Sequence, residues 1–462
     1  MAEEKFDLLI QNGKVVTHSE TRRADVGIRE GKIVALATHL PQAADEIIDA
    51  EHKLVFPGFI DAHSHMGIPI MDTHSIDDFE SGSVAAAFGG VTTIFDFTVQ
   101  AKDEMLRDSV QRRIKKAQGK CHVDYGLHVN ITDEPEMHLW EIMELVDEGF
   151  TSFKVFSTYK QAGMMVTWEQ FQQILEKVSE RGGTLMLHAE DNEEIESMTR
   201  ELIADGQTFP IFHPVSRPPY AESQAILEAM EIALQQEDAS LYIVHISSWD
   251  ALDAALEARS FGLDIYLETC PQYLLLTEDY YRRKDGHHWI TTPPLRSPDD
   301  AEGLWDALAE GEIDVVATDH CPFTVQQKNS GGGVFYQTPN GLPGVETLFP
   351  LLYTYGVAEG RISLQRLVQV LASNPAKIFG LYPKKGVIAI GSDADLVIWN
   401  PNASYKITAD KMHGNADWSP YEGMNIKGAL EYTILRGQIL VEKERFAGEQ
   451  VFGELQVDKR SH

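Results

Sequence analysis

Six side chains able to bind or transfer charge fall at or near the ends of apolar runs in this sequence. One run closes on Asp61-Ala62-His63-Ser64-His65, another contains Lys154, and others stop at His188, at His245 and at Asp319-His320. Imidazoles and carboxylates are the groups that hold divalent cations. Strand side chains alternate in direction, so an H-x-H pair turns both rings to one side, and His63 and His65 can grip a single ion. Taken singly, such residues have ordinary explanations. A lone strand-end histidine is usually satisfied by backbone, and Asp319 alone fits a helix cap or a loop carboxylate. Their shared position at strand ends is what separate structural roles do not explain.

Lys154 lies within Thr151-Ser152-Phe153-Lys154-Val155-Phe156, a segment apolar enough to be buried. A buried ammonium is costly unless it is paired, neutralised or modified. Two readings stand. One is an ion pair with Asp96 or Glu190. The other is a neutral amine that has added carbon dioxide. The resulting carbamate is an anion with two oxygens, one for each of two metals. Four histidines and one aspartate otherwise lack a bridging anion.

The elements that must position these residues alternate between apolar strands and helical stretches. Strands are expected at Leu54 to Ile60, Thr92 to Phe97, Val123 to Leu127 and Ser152 to Phe156, then at Thr184 to Leu187, Leu241 to Val244, Ile265 to Leu267 and Asp314 to Ala317. Asp133 can cap a helix with Pro135 in its first turn, and Gly149 stops it. Trp168 to Arg181 is apolar at helical spacing and ends at Gly182-Gly183, with Trp168, Phe171 and Leu175 as a core stripe. Ser247 or Ser248 can cap the helix running to Gly262. Eight strands mostly followed by helices predict an α/β fold, a (β/α)8 TIM barrel with its site at the carboxyl ends of the strands. An open doubly wound sheet is the structural alternative, but it has no need of eight such units in a row.

Both termini read differently. Asn12-Gly13 between Leu8-Leu9-Ile10 and Lys14-Val15-Val16 is a hairpin signal. Asp25 to Arg29 turns at Glu30-Gly31 and returns through Ile33. Asp395 to Trp399 is β-rich, and Glu431 to Leu435 turns at Arg436-Gly437 into Gln438 to Val441. A small β-sandwich built from both ends is expected, with residues 1–54 and 378–462 in it and 55–377 in the barrel.

The 462 residues are 43% hydrophobic and 24% charged, an ordinary globular balance. With 71 acidic against 39 basic residues the formal charge is −32, which repels nucleic acid and anionic membrane. Cys121, Cys270 and Cys321 are widely spaced and fit a reducing cytoplasm rather than a disulfide framework. The opening Met-Ala-Glu-Glu-Lys-Phe lacks a secretory layout, and no apolar run reaches the roughly 18 residues of a membrane span.

Beyond these residue-level readings, Pro57-Gly58-Phe59-Ile60-Asp61-Ala62-His63-Ser64-His65 resembles the opening motif of the amidohydrolase superfamily. Gly149 to Phe156 with Tyr159 resembles the carboxylated-lysine segment of its dihydropyrimidinases and hydantoinases. His188-Ala189-Glu190, Val244-His245-Ile246-Ser247, Glu268-Thr269-Cys270-Pro271-Gln272-Tyr273, Pro293-Pro294-Leu295-Arg296, Asp319-His320, Asn340-Gly341-Leu342-Pro343-Gly344 and Gly391-Ser392-Asp393-Ala394-Asp395 follow in the family's order. The resemblance spans nearly the whole chain. It implies His63, His65 and Asp319 on one divalent metal, His188 and His245 on a second, and N6-carboxylysine at Lys154 on both. Zinc is usual in the family, and manganese or cobalt suits the same donors. Such a pair lowers the pKa of a shared water toward neutrality.

By the same resemblance, Asp319 relays a proton to the leaving nitrogen and Tyr159 donates to the oxyanion. Thr292 and the Asn340 backbone bind the imide edge of a small cyclic ureide or imide. Threonine at 292 departs from the commoner serine, and its methyl narrows the ring pocket if the hydroxyl makes the contact. The implied reaction is hydrolysis of 5,6-dihydropyrimidines or 5-substituted hydantoins to N-carbamoyl amino acids, by a homotetramer. Allantoinase is the nearest alternative, set apart because allantoinases generally lack the Tyr159 phenol. Dihydroorotase calls for an arginine near the first histidine pair, and none follows His65. A non-catalytic scaffold of this fold, like the collapsin-response mediator proteins, has lost metal ligands that are all present here.

Met66 to Met71, with Met164, Met165 and Phe156, is expected to shape the pocket for the exocyclic group, with loop packing or barrel core as the plainer alternative. His320 is expected behind the ligands, His74 in a loop, Cys321 without a nucleophilic role, and Arg217 as a loop anchor before Pro218-Pro219. The tail past Phe452 is placed to reach a neighbouring subunit.

Overall fold

The computed structural model describes residues 5–459; the acidic start Met1–Glu4 and residues 460–462 lie outside it. Eight strands form the central sheet in sequence order: β1 (Phe59–Ser64), β2 (Val91–Phe97), β3 (Asp124–Asn130), β4 (Ser152–Phe156), β5 (Thr184–His188), β6 (Ser240–Ile243), β7 (Asp264–Thr269) and β8 (Val315–Val316). Every neighbouring pair is parallel. Ser64 bridges His320 in parallel, and the His65 N–H donates to the His320 carbonyl at 2.9 Å, closing the ring. Parallel strands need covered faces, and β2 is buried at every position. Ile60, Phe95, Phe97, Met186, Tyr242 and Val315 fill the interior. The barrel is therefore a packed core with its chemistry at one end.

Local signals set the helix limits. Thr167 and Gln170 form a capping box at the start of Trp168–Ser179, and Phe171 and Leu175 are buried beneath it. Ser248, not Ser247, caps Trp249–Ser260. The expected Asp133 cap is not made. Glu134 takes the cap position of Pro135–Asp147 with φ +40°, while Asp133 Oδ2 accepts the Asp103 N–H at 2.6 Å. A tertiary partner has displaced the local one.

The expected first strand divides. Leu54–Pro57 pairs with Leu396–Trp399 in a seven-stranded sheet, and only Phe59 onward enters the barrel. Asn12-Gly13 does not make a hairpin either. Asn12 has φ +63° as its type allows, but Phe6–Gln11 lies in a four-stranded sheet while Lys14–Val16 lies in the seven-stranded one. The turn is a corner between two sheets that share the core of Leu8, Ile10, Val26, Val55, Leu396 and Ile434. The turns at Glu30-Gly31 and Arg436-Gly437 do join antiparallel neighbours. Both termini thus build one β unit. Between Gly453 and Asp458 the tail packs on its own barrel, with Gln456 N–H on the Tyr125 carbonyl and Asp458 N–H on Gly149.

A buried charge cluster ties the two units together. Lys385 Nζ lies 2.6 Å from Asp124 at the start of β3, 2.6 Å from Asp395 and 3.1 Å from Asp393, and Arg436 takes the other Asp124 oxygen. Burial lowers the lysine pKa, but the three carboxylates hold it above its ordinary value. Removing one partner strands buried charge, so Lys385→Met is expected to lower unfolding free energy by about 3–5 kcal/mol in urea titrations. A loss below about 1 kcal/mol would show the cluster to be dispensable.

Candidate metal centre and active-site cavity

β1 carries a bulge. Asp61 pairs with Ile94 and Ser64 with Asp96, so three steps on β1 match two on β2. Ile60 and Ala62 face the barrel interior before it, and the bulge re-aims His63 and His65 toward the rim. Their ring centroids are 5.1 Å apart. Asp319, past β8, brings Oδ1 to 2.9 Å from His65 Nε2 and 3.3 Å from His63 Nε2. Ligand atoms of these three lie within 4.8 Å of one another. His188 at the end of β5 and His245 past β6 stand beside them, with centroids 4.6 Å apart and His245 5.5 Å from His63.

Lys154 lies in register between Asn130 of β3 and Met186 of β5 and is 2% exposed. Among the described residues no carboxylate comes within ion-pair distance of its Nζ. Asp96 is held by Arg113, and Glu190 by Arg217 and His188, so both expected partners are engaged elsewhere. The nitrogen faces the rings of Phe156 at 5.2 Å and Phe97 at 5.3 Å. Burial pulls its pKa down to about 8, with Glu268 and Asp319 opposing.

Three of the four histidines favour the neutral form. Burial holds His63 and His245 well below the ordinary histidine value and lowers His188 as well. His63 Nδ1 donates to Glu268 at 2.7 Å, which leaves the Nε2 lone pair facing the Asp319 carboxylate. His188 Nε2 donates to Glu190 at 2.7 Å, leaving Nδ1 free. His65 Nδ1 and His245 Nδ1 are buried without a partner. This donor set of nitrogens and carboxylate oxygen fits a divalent metal.

All nine residues singled out in the sequence line one cavity of about 690 Å³: His63, His65, Lys154, Tyr159, His188, His245, Thr292, Asp319 and Asn340. The Thr292 hydroxyl is buried beside the Tyr159 phenol. Tyr159, His245 and Asp319 have φ of +65°, +41° and +51°, a strained left-handed backbone that tends to mark functional positions. Ile68, Pro69, Ile70, Met71, Phe156 and Met164 form the apolar wall. Met66 instead packs into the core against the Phe79–Phe88 helix, and Met165 does not reach the cavity.

The model of the amidohydrolase family matches residues 54–440. A D-hydantoinase of Geobacillus stearothermophilus is 39% identical over 450 residues, 96% of this chain and 95% of the relative. An Escherichia coli D-phenylhydantoinase is 40% identical over 96% of each chain. The crystal structure of dihydropyrimidinase from Brevibacillus agri superposes with a TM-score of 0.95 at 38% identity, covering 98% of this chain and 99% of that one. The chain belongs to the hydantoinase family of the amidohydrolase superfamily.

In this amidohydrolase the outer layer is what motif reading did not resolve. Glu268 receives the His63 Nδ1–H, the His245 N–H at 3.0 Å and the Tyr242 hydroxyl at 2.7 Å. Glu190 orients His188. Lys328, buried and far from any motif, donates to the carbonyls of Ile290 and Pro339 at 2.7 Å each, clamping the segments that carry Thr292 and Asn340. His320 Nε2 lies 3.2 Å from Asp77 and its Nδ1 accepts the Gly344 N–H at 3.0 Å, and Cys321 is a buried thiol whose pKa burial raises. The two glutamates stood within recognised motifs; only their roles were hidden. Carboxylates behind ligating histidines fix tautomer and orientation, so Glu268→Ala is expected to cost about 10–100-fold in metal affinity, measured by chelator competition. Unchanged affinity would remove Glu268 from the centre.

Proposed function

We propose that this amidohydrolase opens the ring amide of 5-substituted hydantoins, D-configured ones foremost, or of 5,6-dihydropyrimidines, giving N-carbamoyl amino acids. The convergence of nine metal- and substrate-type residues on one cavity carries this reading, and the D-hydantoinase relatives support it. His63, His65 and Asp319 would hold one divalent cation, His188 and His245 a second, and N6-carboxylated Lys154 both. Zinc is the proposed metal; manganese and cobalt suit the same donors. The pair, when bound, supplies a water acidified toward neutral pH.

The remaining work falls to the chain. Water adds its oxygen to the ring carbonyl carbon, the C–N bond breaks, and the nitrogen must leave with a proton. Asp319 takes the proton from the water and delivers it to that nitrogen. Its carboxyl group is held below the ordinary value, the hydrogen bond from His65 being among the contributions that outweigh burial, so it starts ionised. Tyr159 donates its phenol proton to the carbonyl oxygen as negative charge accumulates there. Burial holds that phenol above the ordinary tyrosine pKa against the opposing pull of Arg217, so it stays protonated near neutral pH. The Thr292 hydroxyl and the Asn340 backbone hold the imide edge, and the apolar wall receives the exocyclic group. The proposed setting is a cytoplasmic homotetramer, in keeping with three buried, free cysteines. No helix among the described residues is long and apolar enough to cross a membrane.

Lys154→Ala is expected to lose the shared ligand and all turnover, and normal turnover would remove its bridging role. Tyr159→Phe is expected to lower kcat by about 10²–10³-fold at unchanged metal content; an unchanged rate would take the phenol out of the reaction. A kinetic panel of dihydrouracil, both hands of phenylhydantoin, allantoin and dihydroorotate tests the substrate class. Preference for allantoin or dihydroorotate would contradict it.

A further inference from the structure

Arg217 was expected only to anchor a loop, yet its guanidinium is largely enclosed between two parts of the site. Nη1 pairs with Glu190 Oε2, the same oxygen that accepts from His188 Nε2 at 2.7 Å. Its Cζ lies 5.3 Å from the centroid of the Tyr159 ring. That ring is 5.1 Å from the His188 ring and sits on a left-handed residue just before the short turn Lys160–Ala162, outside regular strand or helix. Arginine alone among the cations combines a flat face for a ring with an N–H edge for a carboxylate. Its own backbone is pinned in turn. Arg296 Nη1 donates to the Arg217 carbonyl, Nε to Ser247 Oγ at 2.9 Å, and Nη2 pairs with buried Glu222 at 3.3 Å.

We propose that Arg217 is a positioning residue that couples His188 to Tyr159, so that one guanidinium fixes a ligand of the second metal through Glu190 and aims the phenol through its ring. The inference rests on the roles given to Tyr159 and His188 under the proposed function. A residue that merely neutralised Glu190 would be indifferent to Tyr159, and this separates the two roles. Arg217→Lys keeps a cation for Glu190 but loses the flat face over the ring.

The test is a double-mutant cycle on the metal-loaded full chain with phenylhydantoin as substrate. Arg217→Lys alone is expected to lower kcat about tenfold, with KM changed by less than about twofold and metal content retained. In a Tyr159→Phe background the same substitution is expected to change kcat by less than about twofold, because the hydroxyl that the guanidinium aims is already gone. An equal loss in both backgrounds overturns the coupling and leaves the proposed function standing. A Tyr159→Phe enzyme as fast as the parent overturns the role given to Tyr159 under the proposed function, and the coupling with it. If Arg217→Lys does not fold, Arg217→Gln is assayed with and without added ethylguanidinium in both backgrounds. Rescue confined to the Tyr159 background supports the coupling, and equal rescue or none overturns it.

Discussion

A lysine nitrogen held out of water with no carboxylate at ion-pair distance among the described residues is the constraint around which this molecule is arranged. Lys154 projects into the barrel mouth, where the flanking surfaces are the rings of Phe97 and Phe156. An isolated ammonium there costs several kcal/mol. The proposed addition of carbon dioxide to the neutral amine would remove that charge and create an anion beside the rings of His63, His188 and His245. Two problems of burial, a cation without a close anion and donors without a cation, would then have one solution.

Holding that arrangement requires a second layer. Glu268 and Glu190 fix His63 and His188 from behind, and Asp61 fixes the approach to Asp319 by accepting the Thr318 N–H at 3.0 Å and its hydroxyl at 2.5 Å. Asp319 itself has a left-handed backbone, a conformation that costs about 1–3 kcal/mol and persists only where surroundings impose it. The β1 bulge and the closure between His65 and His320 supply that surrounding frame. The barrel thus supplies rigidity, and the rim residues supply chemistry.

Much of this was legible in the sequence because strand ends and ligand types coincide. His63 to His65, Lys154, His188, His245 and Asp319 each close or occupy an apolar run, and a barrel turns that pattern into one rim. Local signals failed where tertiary partners outbid them. Asn12 has the positive φ its type favours, but the chain crosses between sheets there instead of folding back. Leu54–Pro57 reads like barrel strand because any buried strand is equally apolar; its partner, Leu396–Trp399, is more than 300 residues away. Arg217 offered only the Pro218-Pro219 that follows it, and Lys328 no local signal. A buried cation is recognised only by what surrounds it, and what surrounds these comes from distant segments.

The most direct measurement is an electron-density map of the active, metal-loaded enzyme at Lys154, recorded with anomalous scattering on the same crystals. The account expects a carboxylated Nζ whose two oxygens each reach one of two anomalous peaks, flanked by His63, His65 and Asp319 on one side and His188 and His245 on the other. A bare ε-amine in crystals of fully active protein would contradict it.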